Sequence, residues 1–170
     1  MKTRVLLAGC LGLLAAVSVS GQTKVSGTAK ISKPEPVYSL EVGDRPGHVM
    51  MLEKAACTWT DTTKWGPEKP KEGYSVSAVD VTATRMTSSG THVSTTEAGD
   101  KMFVSFRDNT PMKDGKAGET HGTWSYTGGT GKLKGIKGGG TYKVTSNDEG
   151  TSLEVEGEYT LPGSAGAAKK

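Results

Sequence analysis

The sequence predicts an all-β protein, a closed antiparallel β-barrel of about eight strands, and three observations lead to that prediction. Short runs rich in Val, Thr, Tyr and Trp alternate with Gly, Asp, Asn and Pro from Thr23 onward. No apolar pattern with a helical period is long enough to form a helix. Seven glycines lie between Gly128 and Gly140, which indicates a strand that bends sharply, as at a barrel corner. A two-sheet β-sandwich is the alternative architecture, because it needs turns at similar spacing.

The last strand is the clearest one, because its residues alternate in polarity. Leu153, Val155 and Tyr159 share one face, while Glu154 and Glu156 lie on the other. The other candidate strands are 36–44, 47–60, 74–87, 91–97, 101–108, 119–127 and 138–146, with 23–32 as a ninth. Turns are predicted at Ser88-Ser89-Gly90, Ala98-Gly99-Asp100, Lys113-Asp114-Gly115-Lys116 and Asn147-Asp148-Glu149-Gly150. A loop is predicted over residues 64–73, which contain two prolines. Strands joined by such short turns are antiparallel.

The N-terminus has the layout of an export signal. Lys2 and Arg4 precede an apolar run from Val5 to Val19, and small residues follow. The run is shorter than the 20 or so apolar residues of a membrane span. We therefore expect a signal peptide at 1–20, one β-barrel domain at 21–162, a disordered tail at 163–170, and a periplasmic or secreted product. Lipid anchoring at Cys10 is the alternative, because the residues before it resemble a bacterial lipobox.

Charge and cysteine content exclude two classes of protein. Residues 1–20 carry two of the 21 basic residues and none of the 18 acidic ones, which leaves a net charge of about +1. No basic block is interleaved with aromatic residues, so no nucleic-acid partner is expected. Cys57 would be the one cysteine left, so the domain cannot rely on an internal disulfide. Its apolar surroundings favour a small buried side chain over a reactive thiol.

The glycine-rich stretch around Lys132 does not fit a nucleotide-binding loop. Tyr126 stands where a P-loop needs its first glycine, and Leu133 stands where it needs Ser or Thr. A dinucleotide fingerprint fails as well, because Lys134 replaces its third glycine and no helical pattern follows. We instead expect a structural glycine corner. Its glycines are Gly128, Gly129, Gly131, Gly135 and Gly138, with Leu133 and Ile136 holding the turn against the core.

The same residues carry a resemblance to a known family. Tyr126, the run Gly128-Gly129-Thr130-Gly131, Leu133, Gly135 and Gly138 resemble the glycine signature of the allene oxide cyclase barrel and the related dirigent proteins. The resemblance covers residues 119–146 and implies an eight-stranded antiparallel barrel with a cavity for a lipophilic small molecule, often in a dimer or trimer. No catalytic residue of either plant family matches a position here. The segment 43–48 resembles one in exported bacterial proteins with this barrel, which implies export and no particular activity.

Few residues are candidates for chemistry. Asp80 shares a strand face with Val76 and Ala78, so it is a ligand-binding candidate if that face points inward, and a solvated carboxylate if it points outward. Trp124 and Tyr126 are the other ligand-binding candidates. His48, His92 and His121 lack a metal-ligand spacing, so we expect separate rim or surface histidines and no metal or cofactor. Asp44 and Arg45 are expected to fix a loop, and a position at a ligand entrance is the alternative.

Three functions remain open from the sequence. The first is an exported barrel that binds a small apolar molecule, since eight strands enclose just enough space for one. The second is a cyclase or isomerase acting on a lipid-like substrate, with Asp80 or Cys57 as its polar group. The third is a structural or interaction protein of the cell envelope that uses the barrel exterior, and a homo-oligomer is compatible with each.

Overall fold

A computed structural model describes residues 22–62, 68–147 and 150–162, and these residues are almost entirely β-strand. The strands are β1 (Thr23–Ile31), β2 (Glu35–Glu41), β3 (Val49–Thr62), β4 (Pro70–Val81), β5 (Arg85–Thr96), β6 (Lys101–Lys113), β7 (Lys116–Ala117), β8 (Thr120–Gly129), β9 (Lys137–Asn147) and β10 (Gly150–Thr160). All their pairings are antiparallel. Among the described residues, no helix has the length and apolar character needed to cross a membrane.

Eight of the strands close into a barrel, which confirms the predicted fold class over the sandwich. Their order is β1-β10-β9-β8-β6-β5-β4-β3, and β1 pairs with β3 as well as with β10. Closure leaves these strands without the open edges that a flat sheet exposes. The barrel therefore includes β1, which corresponds to the additional ninth strand predicted at 23–32.

Strand β2 pairs with the same strand as β1, namely β3, and continues along it where the pairing with β1 ends. Ile31 of β1 pairs with Cys57 of β3, and Glu35 of β2 pairs with Lys54 three residues further along β3. The Ser32 amide joins the two segments by donating to the Ala56 carbonyl at 2.9 Å. Because β2 has a neighbour on one side only, it is an edge strand.

Two predicted boundaries are wrong. The predicted turn at 88–90 lies inside β5, and the hairpin between β4 and β5 closes six residues earlier, where the Thr82 amide and hydroxyl both donate to the Arg85 carbonyl. Ser88 instead points into the barrel, where it has a hydrogen-bond partner. The predicted loop at 64–73 is also too long, because its last four residues belong to β4.

The other turns fit the prediction where the structure describes them. Gly99 has a φ of 90°, and Asp114 and Gly115 have φ of 51° and 72°, so these residues adopt the left-handed conformation that tight turns require. The turn at 148–149, the predicted signal peptide at 1–20 and the predicted tail at 163–170 lie outside the described residues.

The glycine corner closes one end of the barrel. A single 3₁₀ turn, Gly131–Leu133, follows β8 and places Leu133 and Ile136 in the core, with 0% and 2% of their surfaces exposed. Both side chains hold the turn against the core as the sequence predicts. They belong to the main cluster of buried side chains, which also contains Val25, Met102, Val104, Trp124, Val155 and Tyr159. This end of the barrel is therefore filled by side chains.

Candidate ligand cavity

The barrel interior contains a half-open cavity of about 280 Å³ beyond the closed end of the barrel. Its apolar walls are contributed by inward-pointing residues of β3, β6, β8 and β10. They include Trp59, Met102, Val104, Phe106, Trp124, Leu153 and Val155. A concave site with mostly apolar walls and a few polar groups is the usual form of a small-molecule site, although this one is at the small end of the range.

A carboxylate lies in the cavity wall and is held by two hydroxyls. Asp108 of β6 accepts hydrogen bonds from Ser88 of β5 and from Tyr142 of β9. Both partners can donate, so the arrangement suits the ionised carboxylate, which only accepts. Burial and the hydrogen bond to Asp108 both raise the pKa of the Tyr142 phenol, which therefore keeps its proton.

The contact between Tyr142 and Asp108 is possible because the residue between them is a glycine. Strand β8 lies between β9 and β6, and its residue between Tyr142 and Asp108 is Gly122. A Cβ atom at Gly122 would lie 2.2 Å from Cζ of Tyr142, so any side chain there would displace the ring. The ring also packs edge-on against Phe106, with centroids 6.2 Å apart.

A second polar network surrounds His92 of β5. The Trp59 indole donates to the Ser94 hydroxyl at 3.0 Å, and Ser94 lies 2.8 Å from Nε2 of His92. Nδ1 of His92 lies 3.0 Å from the Ser75 hydroxyl. Burial lowers the pKa of His92 to about 4, so near neutral pH one ring nitrogen accepts and the other donates.

The third polar group is Glu53 of β3. Unlike Asp108, it accepts no hydrogen bond from another side chain in the described part of the protein. Its carboxylate lines the cavity, is half-buried, and has no hydrogen bond or ion pair within the described part of the chain. Burial raises the pKa of this carboxyl because it removes water from the charged form. Among the described residues that line the cavity there is no Lys or Arg. The described part of the cavity wall therefore has two carboxyl groups, Asp108 and Glu53, and no lysine or arginine.

The predicted binding residues do not lie together. Trp124 lines the cavity, and its indole nitrogen donates to the carbonyls of Thr141 and Glu156 at 3.2 and 3.3 Å. Tyr126 packs edge-on against Trp124, with centroids 5.0 Å apart, and belongs to the packed end. Asp80 is on the outer face of the barrel, with 44% of its side chain exposed.

Asp80 takes part in a structural contact outside the barrel. His48, which is buried, lies between two carboxylates: Nδ1 bonds to Asp44, and Nε2 lies 3.3 Å from Asp80. The hydrogen bond from His48 is the main cause that lowers the pKa of Asp44. Arg45 also contacts Asp44, at 3.7 Å, so this turn between β2 and β3 is fixed onto β4.

The three histidines occupy three separate places. His48 is in the turn just described, His121 contacts Glu119 at 2.8 Å on the outer face, and His92 is inside the barrel. The prediction of a rim or surface position is therefore wrong for His92, which lies mid-strand and points inward. Within the described ranges, no group of three or more His, Cys, Asp or Glu side chains could hold a metal ion.

Cys57 is a buried side chain, 4% exposed, as the sequence predicts. Burial raises the pKa of its thiol to about 12. It is absent from the residues that line the cavity. The thiol is therefore protonated near neutral pH and is a poor nucleophile.

Sequence reasoning missed the main polar residues of the cavity, although two of them left a signal. Asp108 falls on the same face of β6 as Met102, Val104 and Phe106, so the alternation places a carboxylate on an apolar face. Glu53 does the same on β3. For His92 no such pattern exists, because its nearest neighbours on that face of β5, Gly90 and Ser94, are small and not apolar enough to mark a core face.

Together, the fold and the cavity define a small closed antiparallel barrel with an interior site. No protein-family model matches the chain, and no curated protein matches it. Among solved structures, it is similar to a protein of unknown function from the DUF3224 family of Shewanella oneidensis MR-1. The two chains are 19% identical, the match covers 84% of this chain and 99% of that chain, and the TM-score is 0.48.

Proposed function

We propose that the protein is exported and that its barrel binds one small, largely apolar molecule. The observation that carries the proposal is the interior cavity of about 280 Å³, with aromatic and aliphatic walls and a few polar groups. The resemblance of residues 119–146 to the allene oxide cyclase and dirigent barrels supports the same function. No catalytic role follows from it, because neither Asp80 nor Cys57 is among the residues that line the cavity.

The cavity is tested by filling it. Ala55 lines the cavity, whereas its neighbour Ala56 is exposed on the outer face of the same strand. We expect 1-octanol to bind the protein with one-to-one stoichiometry in calorimetry. Ala55→Phe should abolish this binding, and Ala56→Phe, which adds the same ring outside, should leave it unchanged. Equal binding by both variants would place the ligand outside the cavity and overturn the proposal.

Export is tested on the protein recovered from its own host. We expect the N-terminus to begin near Gly21 or Gln22 and the protein to be in the periplasm or the medium. A diacylated N-terminus at Cys10 would instead establish lipid anchoring. Native mass spectrometry of the same sample should show a retained small molecule and the number of subunits.

A second candidate function, association through the barrel exterior, is favoured by an outer apolar patch. We propose that the partner is a second copy of this chain. The patch lies on β2 and the residue after it, on β3 and on β4, and its side chains are between 44% and 60% exposed. They are Tyr38, Leu40, Val42, Met50, Leu52, Tyr74 and Val76. Together they offer roughly 600 Å² of apolar surface, as large as the largest patches on monomers and close to the half-interface of a stable dimer.

The charges around the patch suit a two-fold axis through Leu52. Lys54 lies two residues along β3 in one direction, and Met50, which pairs with Asp80, lies two residues in the other. A two-fold axis would therefore place Lys54 of one copy beside Asp80 of the other. We expect sedimentation to show a dimer that Leu52→Lys dissociates and that Thr123→Lys, an exposed substitution outside the patch, leaves intact. A monomer at high concentration would overturn this function.

A further inference from the structure

We propose that the ligand is an apolar cation, a protonated amine carried on a short hydrocarbon body, and that Glu53 binds its ammonium group. This inference rests on the proposed function, because it assumes that the cavity holds a small molecule. It assigns the charge of that molecule and the residue that recognises it.

The described part of the cavity wall has acidic side chains and no lysine or arginine. The acidic side chains are Asp108 and Glu53. His92 supplies no compensating charge, because its two nitrogens are engaged by Ser75 and Ser94 as a neutral ring. A carboxylate ligand such as a fatty acid would therefore meet two carboxyl groups and no cation in a partly desolvated space, which is unfavourable.

The two carboxylates differ in how many hydrogen-bond donors they already have. Asp108 already accepts two hydroxyl hydrogen bonds, which stabilise its charge. Glu53 has no such partner within the described ranges, so all of its acceptor sites are available. A half-buried carboxylate without a counter-charge is costly, and a ligand that supplies three N–H donors and one positive charge removes that cost. A neutral alcohol supplies one donor and no charge.

The apolar part of the cavity wall suits the hydrocarbon body of such an amine. A volume of about 280 Å³ is roughly nine times the volume of one water molecule, so about nine non-hydrogen atoms fit. Aliphatic and aromatic walls accommodate a hydrocarbon chain. Trp59 and Phe106 also present rings to the cavity, and aromatic faces attract cations.

The test compares three probes of nearly equal size: 1-octylamine, which is protonated at pH 7, 1-octanol, and octanoate. We expect calorimetry to show octylammonium binding at least tenfold more tightly than octanol, and octanoate not binding. Glu53→Gln should lower the affinity for octylammonium to that for octanol and leave octanol binding unchanged. Glu72→Gln, at an exposed position on β4, should change neither. Ala55→Phe should abolish binding of both probes, which excludes adsorption of the amine to the surface.

The outcomes separate this inference from the function on which it rests. Equal affinity for amine and alcohol, or tighter binding of octanoate, would overturn the inference and leave the apolar cavity site standing. Tight amine binding that survives Glu53→Gln would overturn the role of Glu53. If none of the three probes binds, the proposed function fails together with the inference. The probe series on the unmodified protein needs no variant, so it gives an answer even if Glu53→Gln does not fold.

Discussion

The Tyr142 hydroxyl donates a hydrogen bond to the Asp108 carboxylate across a strand whose intervening residue is Gly122. This contact joins β9 to β6 inside the barrel, beyond the backbone ladder. It also supplies one of the hydrogen bonds that the half-buried Asp108 carboxylate accepts.

Removing that donor should destabilise the protein. Tyr142→Phe keeps the ring and leaves Asp108 with Ser88 as its remaining donor, so we expect a loss of about 1–3 kcal/mol in the free energy of unfolding. Urea denaturation measures the change. Tyr38→Phe, at an exposed position, is the control and should cost almost nothing. An unchanged midpoint for Tyr142→Phe would mean that the hydrogen bond contributes no net stability.

The sequence predicts most of the barrel because strand alternation and turn composition are local signals. The inward face of Leu153, Val155 and Tyr159 can be recognised in a single run of eleven residues. The cluster of Ser88, Asp108 and Tyr142 cannot, because its members are far apart in sequence and meet only when the barrel closes. The composition around Ser88 even predicts a turn, since Ser and Gly are typical of turns and the partner of Ser88 cannot be identified from the sequence.

Acid should destabilise the protein through His92. The pKa of His92 is about 4 in the folded state, against an ordinary value of 6.5, so the unfolded chain binds the proton first. Stability should therefore fall as the pH decreases below about 6.5, by about 3 kcal/mol once the pH nears 4. Denaturation midpoints between pH 7 and 4.5 measure the slope.

The control compares two proteins, Glu53→Gln alone and Glu53→Gln combined with His92→Gln. In each of them the change of stability with pH is measured. The background matters because burial raises the pKa of Glu53, so its protonation stabilises the fold as the pH falls and opposes His92. We expect the slope to vanish in the His92 variant. The same slope with and without His92 would show that another group titrates in this range.

The glycine corner should tolerate no side chain at Gly131. Its φ is +50°, and a Cβ atom there would lie 1.9 Å from Oδ1 of Asp100. Moving Asp100 away would break its bond from the Lys132 amide, at 2.9 Å. We expect Gly131→Ala to cost about 2–4 kcal/mol, from backbone strain and the lost hydrogen bond.

Gly115→Ala is the matched control for that prediction. Gly115 has a φ of +72°, but no atom lies within 4 Å of the Cβ position. Backbone strain alone should then cost about 1–2 kcal/mol. Urea denaturation measures the loss of unfolding free energy in both variants. Equal losses would mean that Asp100 moves away from the new Cβ atom without lowering the stability.

The ion pair between Lys132 and Glu68 should matter because one partner is buried. Lys132 Nζ donates to Glu68 Oε1 at 2.8 Å, and the Glu68 side chain is 6% exposed while that of Lys132 is 64% exposed. The hydrogen bond to Glu68 is the main cause that raises the pKa of Lys132. The pair should therefore stabilise the fold below pH 10.5 and lose its effect as the pH rises through the folded pKa of Lys132.

Lys132→Met should lower the urea midpoint at pH 7, because it leaves the Glu68 carboxylate buried without a cation. Lys134→Met, at an exposed position two residues away, should have little effect. Adding Glu68→Gln to Lys132→Met should restore much of the lost stability, since the uncompensated charge is then gone. A double variant no more stable than Lys132→Met would mean that Lys132 stabilises the corner through its aliphatic stem. In that case its charge contributes nothing, and the lysine of the glycine-rich stretch is a packing residue alone.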